Sequence, residues 1–328
     1  MHRELKRARE FLLSQTGGGE LVFTSGGTEA DNQAVFMARR GNAVTTAGEH
    51  PAVERCFNEL KRLGVEPRFA PLNRDGTVDQ DALLSLVDEK TTLVSVVHVN
   101  SETGAINDVH AIARAVKKKN PRCLFHSDGV QAFGKIPVRL IKEIDLYSVS
   151  AHKIGGLKGT GALIKRKDLE LKPYLFGGGQ ENNLRSGTEN VLGILSFFYA
   201  AEEKFSHLEQ SLARVKDLRE KLYSLLDKTI FERLSSEAGT PYILTVSARG
   251  LRGEILQRLA EEKGIVIGTG SACSSKKPHS RILEACGYDN AVLDGVLRLS
   301  FSSETTDEEV VFAANALNEA ARELKGRL

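Results

Sequence analysis

The 328-residue chain lacks the features that mark membrane, secreted and nucleic-acid-binding proteins. No apolar run approaches the length of a membrane span, and the amino terminus has no apolar signal core. Its four cysteines show neither CxxC spacing nor a paired framework, which favours a reducing, cytoplasmic location. Lysine and arginine number 45 against 43 aspartate and glutamate, without a concentrated basic stripe. We therefore expect neither a nucleic-acid partner nor a membrane partner.

What is present, from about residue 20 to residue 165, is an alternation of apolar strand-like runs with helical patterns. Helices are predicted near Glu29–Arg40 and over Val109–Lys119. Uninterrupted apolar strands that alternate with helices predict an α/β fold with a mostly parallel, doubly wound sheet. The predicted strands are Leu21–Phe23, Ala43–Ala47, Thr91–Asn100, Arg122–Asp128, Ile144–Ser150 and Thr160–Lys165.

The pattern of predicted secondary structure changes from about Ser206. A long amphipathic helix, His207–Asp227, is followed by short strand-like runs and then by a closing helix, Asp307–Lys325. The sequence therefore predicts a large domain over residues 1–210 and a smaller C-terminal α/β domain over residues 211–328. The strands predicted for the smaller domain are Tyr242–Ser247, Gly264–Ile267 and Val296–Phe301.

Polar residues follow several of the predicted strands, at the sheet edge where doubly wound proteins bind their ligands. Asp128 ends an otherwise apolar strand, and a buried carboxylate is costly unless it is paired. The protonated ring nitrogen of pyridoxal phosphate (PLP) would satisfy it, and capping of the following helix is an equally good interpretation. Gln131, one turn further on, would then hydrogen-bond the phenolic oxygen of the cofactor. Asn100 lies at another such strand end.

Lys153 lies three residues beyond the end of the next predicted strand. A lysine among apolar walls and other cations loses its proton more readily, and the free amine forms a Schiff base with an aldehyde. Ser150 and His152 beside it can donate hydrogen bonds to a phosphate group. A solvated loop lysine is the plain alternative, but the Gly-rich sequel Gly155–Gly161 favours a ligand that the backbone approaches closely.

Two turns carry weaker signals. Ser25-Gly26-Gly27-Thr28 joins a strand to a helix, where close backbone approach and unpaired N–H groups suit an anion. The alternative is an ordinary turn with Thr28 as N-cap and Asp31 completing a capping box. His50 precedes Pro51 after a predicted strand and could stack on a cofactor ring and move protons, although alone it reads as a turn histidine.

The smaller domain supplies a thiol and a cation. Cys273 lies in Gly268-Thr-Gly-Ser-Ala-Cys-Ser-Ser275, followed by two lysines that favour the thiolate, and the alternative is a chance surface cysteine. Arg298, inside a strand-like run, suits bidentate capture of a substrate carboxylate, with a structural ion pair as the competing interpretation. The remaining cysteines are predicted to be small core residues: Cys56, Cys123 and Cys286.

The motifs taken together, in their order along almost the whole chain, resemble the cysteine desulfurases, which are PLP enzymes of aminotransferase class V and of fold type I. The Ser-Ala-Cys loop is similar to that of the NifS/IscS branch. The motifs are Thr24–Asn32, Glu49–Pro51, His98–Gly104, His126–Gln131, Ser150–Lys153, Gly177–Thr188, Gly270–Ser274 and Arg298.

The resemblance implies a role for each matching residue. Lys153 would hold the cofactor aldehyde, His50 would stack over the ring, and Cys273 would take the sulfur as a persulfide. The other cofactor contacts would be Gly27, Thr28, Asn100, Asp128, Gln131, Ser150, His152 and, from the partner subunit of a homodimer, Thr188. Asn100 and Arg298 would hold the substrate carboxylate, and no metal is implied.

The resemblance also implies a reaction: L-cysteine becomes L-alanine, and the sulfur passes to an acceptor or scaffold protein for iron–sulfur cluster or thio-cofactor assembly. Family members usually begin with a further Asp-Asn-Ala-Ala-Thr-Thr-like segment that lines the substrate pocket and joins the small domain. This chain begins where that segment would have ended, and Gly17–Gly19 is an unusual insertion. The expectation is therefore a PLP-binding protein whose turnover is reduced or depends on a partner.

Three alternatives remain at this point. Another PLP lyase or aminotransferase, such as a selenocysteine lyase, is a second enzyme interpretation, and Cys273 argues against a simple aminotransferase, which has no use for a mobile thiol. A shortened, non-catalytic paralogue that acts as a partner subunit is opposed by the intact Lys153 and Cys273. A generic nucleotide-binding domain is disfavoured because no GxGxxG follows a strand with a later acidic partner.

Overall fold

The computed structural model describes residues 2–269 and 279–326, and these fall into two compact units. The first unit comprises Met1–Pro71, Val78–Val99 and Asn107–Leu208. The second comprises Leu72–Thr77, Asn100–Ile106 and Glu209–Leu328. Two short segments from the first third of the chain thus belong to the second unit, and the domain limits at residues 210 and 211 stay a prediction.

The first unit is built on a seven-stranded sheet in the order β1-β7-β6-β5-β4-β2-β3. Its strands are β1 Glu20–Thr24, β2 Asn42–Thr46, β3 Glu66–Ala70, β4 Thr91–Ser95, β5 Leu124–Asp128, β6 Leu146–Ser150 and β7 Gly161–Lys165. Its helices are α1 His2–Ser14, α2 Gly27–Val35, α3 Pro51–Arg62, α4 Gln80–Ser85, α5 Val109–Lys119 and α6 Val191–Ser206, followed by α7 Leu208–Leu225.

The direction of the strands confirms the predicted α/β fold with a mostly parallel sheet. Strands β3, β2, β4, β5 and β6 pair in parallel, whereas β7 runs antiparallel to both β6 and β1. Parallel neighbours need crossover connections, and helices such as α3 and α5 supply them. Because β1 and β6 both oppose β7, they share one direction, and their carboxyl ends lie at the same edge of the sheet.

Apolar faces of the helices close the core of this unit. Val53, Phe57 and Leu60 of α3, spaced at i, i+4 and i+7, pack with Ala43 of β2 and Leu93 of β4 in one buried cluster. A second cluster joins Ala30 and Ala34 of α2 to strand residues of β1, β6 and β7. These contacts fix the strand ends relative to the first turns of α2 and α3.

Three predicted elements differ from the structure. The helix expected over Glu29–Arg40 ends at Val35, where hydrogen bonds from residue i to residue i−3 tighten the last turn while Ala38 stays in the core. Strand β4 ends at Ser95 rather than Asn100. Gly264–Ile267 forms no strand, and the next residue, Gly268, forms an isolated antiparallel bridge with Arg298.

The second unit contains a three-stranded antiparallel sheet in the order β10-β9-β8. Its elements after α7 are β8 Phe231–Arg233, β9 Ile243–Ala248, α8 Gly253–Glu262, α9 Arg281–Ala285, α10 Asn290–Leu293, β10 Val296–Ser300 and α11 Asp307–Gly326. Residues of α7, α8 and α11 pack with the sheet in one buried apolar cluster. Among the described residues, no helix is both long enough and apolar enough to cross a bilayer.

Candidate active site

One row of residues across three strands marks the functional edge of the first unit. Thr24 of β1 pairs with Gly161 of β7, and Gly161 pairs in turn with Ser150 of β6. The turn after β1 and the turn after β6 therefore leave the sheet side by side. Both of these turns contain residues predicted to contact a phosphate group.

Two glycines allow the backbones at this edge to approach one another. A Cβ at Gly161 would lie 2.6 Å from the carbonyl carbon of Gly26, and one at Gly27 would lie 2.6 Å from Cγ2 of Val130 and 3.6 Å from Cβ of Ser150. The alternative of a capping box at Thr28 is wrong, because α2 begins at Gly27 after Gly26 as N-cap, without a side-chain cap. Thr28 is exposed in the first turn of α2, where a hydroxyl and N–H groups suit an anion.

Asp128 is buried at the end of β5, beside β6 in parallel register with Ser148. Its Oδ1 accepts a hydrogen bond from the backbone N–H of Val130 at 2.9 Å, so it closes a turn rather than capping a helix as the alternative proposed. Burial raises the pKa of Asp128 to about 6, while the Val130 bond and the charge of Lys153 act in the opposite direction. The structure thus brings Asp128 and Lys153 within electrostatic reach.

A buried polar network that the sequence analysis missed lies next to Asp128. His126 is fully buried; its Nδ1 lies 2.8 Å from Oγ of Ser95, and its Nε2 lies 3.0 Å from Oγ of Ser148 and 3.6 Å from Oδ1 of Asp31. Burial lowers the pKa of His126 to about 3, so the ring is neutral. Burial, followed by the charge of Asp128, raises the pKa of Asp31 well above its usual value. The sequence feature that could have indicated this network is the presence of polar residues, Ser95, His126 and Ser148, inside otherwise apolar strands.

The turn after β6 carries a concentration of positive charge. Ala151–Lys153 form one turn of 3₁₀ helix, in which Oγ of Ser150 lies 2.8 Å from Nδ1 of His152. Burial lowers the pKa of His152, and the charges of Lys153, Lys158 and Lys135 lower it further. Lys135 also donates a hydrogen bond to Oε1 of Gln131 at 2.7 Å. The amide group of Gln131 thereby keeps its N–H donors for an oxygen such as the predicted phenolic one.

His50 is the N-cap of α3, and its exposed ring has a defined tautomer. Its Nδ1 accepts the backbone N–H of Ala52 at 3.1 Å, so the neutral ring carries its proton on Nε2. The preceding Glu49 accepts bonds from the hydroxyl of Thr46 at 2.8 Å and from the N–H of Val97 at 2.9 Å. These bonds tie the His50 turn to the chain that continues β4.

Thr188 lines a cavity, open to solvent, whose walls also include Ser25, Thr160 and Arg185. Arg185 pairs with Glu29 of α2 at 2.8 Å, and Glu29 accepts the backbone N–H of Ser25, also at 2.8 Å. Sequence reasoning did not find this ion pair, because its partners lie far apart in the chain.

The two residues predicted to bind the substrate carboxylate, Asn100 and Arg298, both belong to the second unit. Asn100 is buried, and its Oδ1 accepts the backbone N–H groups of Glu102 and Thr103, each at 2.9 Å. Nη1 of Arg298 donates to the carbonyl of Ser101 at 3.1 Å. The Nε–H of Arg298 is buried without a hydrogen-bond partner among residues 2–269 and 279–326, a donor that suits a carboxylate.

Both flanks of the cysteine-bearing segment are anchored in this unit. Gly268 exchanges backbone hydrogen bonds with Arg298 at 2.7 and 3.0 Å, and the hydroxyl of Ser280 donates to the carboxylate of Glu102. Cys273 itself lies outside the described residues. The other three thiols are buried, and burial raises the pKa of each to about 12, which confirms them as core residues: Cys56, Cys123 and Cys286.

The sequence profile of the class-V aminotransferases matches residues 6–311 of this chain. The chain belongs to that family, among the cysteine desulfurases. It is 36% identical to a cysteine desulfurase of Gluconacetobacter diazotrophicus over 93% of this chain and 78% of the relative. It is 32% identical to cysteine desulfurase IscS of Dictyoglomus turgidum over 98% and 84%.

A solved structure of a NifS-like protein superposes with a TM-score of 0.92 at 35% identity and covers 98% of this chain and 88% of its own. These comparisons confirm both the predicted family and the predicted fold type. The family is PLP-dependent, and the donors of the first unit fit that cofactor. Asp128 is a buried carboxylate suited to a pyridinium, and the lysines around His152 suit a phosphate. No group of three or more His, Cys, Asp or Glu side chains within the described ranges is arranged to hold a metal.

Proposed function

We propose that this protein is a PLP-dependent cysteine desulfurase that converts L-cysteine to L-alanine and collects the sulfur on Cys273. The observation that carries the proposal is that Asp128, at the end of β5, lies within electrostatic reach of Lys153, in the turn that follows the adjacent parallel strand β6, in a chain of the cysteine desulfurase family. One group suits a protonated ring nitrogen, and the other suits an aldehyde.

The residues of the first unit would bind and orient the cofactor. PLP, when bound, supplies an electron-withdrawing ring that stabilises negative charge on the Cα of an amino acid. Asp128 would pair with the ring nitrogen, which relieves the cost of its burial. Lys153 would hold the aldehyde, and its amine, when free, would be the base that takes a proton from the Cα of the substrate. Thr28, Ser150 and His152 would bind the phosphate, and His50 would cover the ring.

Substrate and sulfur would be handled by residues of the second unit. The Nε–H of Arg298, which has no hydrogen-bond partner within the described ranges, and the amide of Asn100 suit the carboxylate of cysteine. The Cys273 thiolate would attack the substrate sulfur, so that an S–S bond forms as the C–S bond breaks. The carbon then takes a proton and leaves as alanine. Cys273 carries the persulfide, and no external oxidant is consumed.

The activity is tested by adding L-cysteine and a thiol reductant to the purified protein and measuring sulfide and alanine. We expect Cys273→Ser to lower sulfide formation by about a hundredfold or more, because the attacking thiolate is gone. Cys286→Ser is the matched control, since that buried thiol, with its pKa raised to about 12, has no thiolate to offer. Full sulfide formation by Cys273→Ser would refute the role of this cysteine, and continued alanine release with selenocysteine would favour a selenocysteine lyase.

The cofactor is tested separately by the visible spectrum. An absorption band at a longer wavelength than that of the protein itself, present in the wild type and lost in Lys153→Ala, would identify Lys153 as the residue that binds the aldehyde. Persistence of the band in that variant would show that another amine binds it. The cellular role that we propose is delivery of the persulfide sulfur to an acceptor or scaffold protein by a homodimer in the cytoplasm. Similarity to a cysteine desulfurase named IscS supports the sulfur delivery, and the unpaired cysteine pattern supports the reducing location.

A further inference from the structure

Three consecutive residues of the segment that leads to Thr188 adopt a left-handed backbone. The φ angles are 49° at Glu181, 55° at Asn182 and 65° at Asn183. A side chain beyond glycine crowds the backbone in this region, and L-residues visit it as single positions rather than in runs. Such a turn persists only where the surrounding contacts hold it in place. The turn therefore depends on the contacts of its first residue, Glu181.

Glu181 is tied to α1 and to β1 through its carboxylate. The carboxylate is 5% exposed and accepts two parallel hydrogen bonds from the guanidinium of Arg9, at 2.7 and 2.8 Å. It also accepts the backbone N–H of Phe23 at 2.8 Å. The guanidinium lies over the Phe23 ring, 4.7 Å from its centre, and donates to the carbonyl of Leu21. Bidentate, partly buried bonds of this kind are among the strongest side-chain contacts.

A second ion pair, in which the segment contributes the cation instead of the carboxylate, holds the same segment a few residues further along the chain. Here the segment contributes the cation, Arg185, and α2 contributes the carboxylate, Glu29, with bonds of 2.8 and 3.2 Å. Oε1 of Gln180 accepts the backbone N–H of Gly187 at 2.9 Å and closes the loop between the two pairs. Thr188 follows directly, in the cavity that it shares with Ser25.

We infer that Arg9 and Glu181 are positioning residues: their ion pair holds the left-handed turn in place and thereby sets the position of Thr188. Neither residue needs to touch a ligand for this role. The functional part of the inference, that Thr188 is positioned for a cofactor phosphate, rests on the proposed function. The structural part stands on the contacts of Arg9, Glu181 and Phe23 alone.

The structural part is tested on the cofactor-free protein by backbone hydrogen exchange over residues 177–188. Arg9→Ala is compared with Arg7→Ala, a matched control on the same helix. Arg7 also lies over an aromatic ring, that of Phe198, but its ion pair with Glu202 is 3.8 Å long and exposed. We expect exchange in this segment to be about tenfold faster or more in Arg9→Ala and unchanged in Arg7→Ala, as the loss of a charged hydrogen-bonded pair requires. Equal exchange in the two variants would overturn the inference.

The role of backbone strain is tested by adding Asn182→Gly to Arg9→Ala. Glycine adopts positive φ without the steric cost, so the turn should depend less on its anchor and the exchange should slow again towards the wild-type rate. If the added glycine leaves the exchange as fast as in Arg9→Ala alone, strain is not what the ion pair compensates, and that account is wrong.

The functional part is read from the affinity for PLP, set against KM for cysteine. We expect Arg9→Ala to weaken PLP binding about tenfold and to leave KM at saturating PLP unchanged, because the defect lies in positioning and not in the substrate contacts. Unchanged PLP affinity together with faster exchange would limit the ion pair to a structural role and refute the positioning of Thr188. Failure of the wild-type protein to bind PLP would refute the proposed function, while the exchange result would still decide the structural part.

Discussion

At the scale of single residues, the cost of burying Asp128 predicts an unusual pH dependence for the cofactor-free protein. Burial raises its pKa from 3.8 to about 6, so between pH 4 and pH 6 the folded state keeps a proton that the unfolded state releases. The free energy of unfolding therefore falls as pH rises through this window and stays lower above it. Two pKa units correspond to about 3 kcal/mol at most.

Asp128→Asn removes this titration and retains an acceptor for the Val130 N–H. We expect the cofactor-free variant to melt at a higher temperature than wild type at pH 7.5 and at the same temperature near pH 4, while its PLP affinity falls. Asp145→Asn is the control, since Asp145 is buried between Lys117 and Arg166 and should lose stability when its charge is removed. A destabilised Asp128→Asn at pH 7.5 would mean that a cation already stabilises that carboxylate.

At the scale of elements, the close contact between β7 and the turn before α2 requires glycine, which has no side chain, at position 161. A Cβ at Gly161 would lie 2.6 Å from the Gly26 backbone and 2.7 Å from the carbonyl oxygen of Val149. Gly161→Ala should move the 25–28 turn, lower stability by about 1–3 kcal/mol and weaken PLP binding. Thermal melting and a PLP titration measure both effects. In the control, Gly326→Ala, a methyl group would meet nothing within 4 Å, and equal results for the two variants would contradict the expectation.

Elements also show which parts of the fold the sequence can predict. Val109–Lys119 agrees with prediction at both ends, because an Asp108 cap and an apolar face encode the helix locally. Strand β3, Glu66–Ala70, went unpredicted, since only one residue of this edge strand is fully buried, two of its five residues are charged and it contains a proline. The antiparallel direction of β7 could not be predicted, because an apolar run does not indicate the direction in which a strand pairs.

The candidate site follows the same division. The strand-end residues Asp128 and Lys153 were predictable, because the sheet fixes where strand ends meet. The Arg9–Glu181 and Arg185–Glu29 ion pairs were not, because each joins positions more than 150 residues apart and no local pattern specifies the partner. Resemblance to a family supplied roles for single residues that periodicity alone left open.

At the scale of the whole molecule, the open question is which chain supplies Thr188 to a given cofactor. The resemblance assigns it to the partner subunit of a homodimer. The structure offers a competing arrangement, because Thr188 shares one cavity with Ser25 and Thr160 of its own chain. The two arrangements predict different activities for a mixed dimer in which each chain carries a different inactivating substitution.

Mixing two impaired chains separates these arrangements. Lys153→Ala and Thr188→Val are each expected to be poorly active alone. If Thr188 acts across the interface, a mixed dimer contains one site with both native residues, and an equal mixture should recover about a quarter of wild-type sulfide formation. If it acts within its own chain, no site regains both residues, and the mixture should show only the average of the two variants. Light scattering on the mixture serves as the control, because complementation requires that the chains associate and exchange.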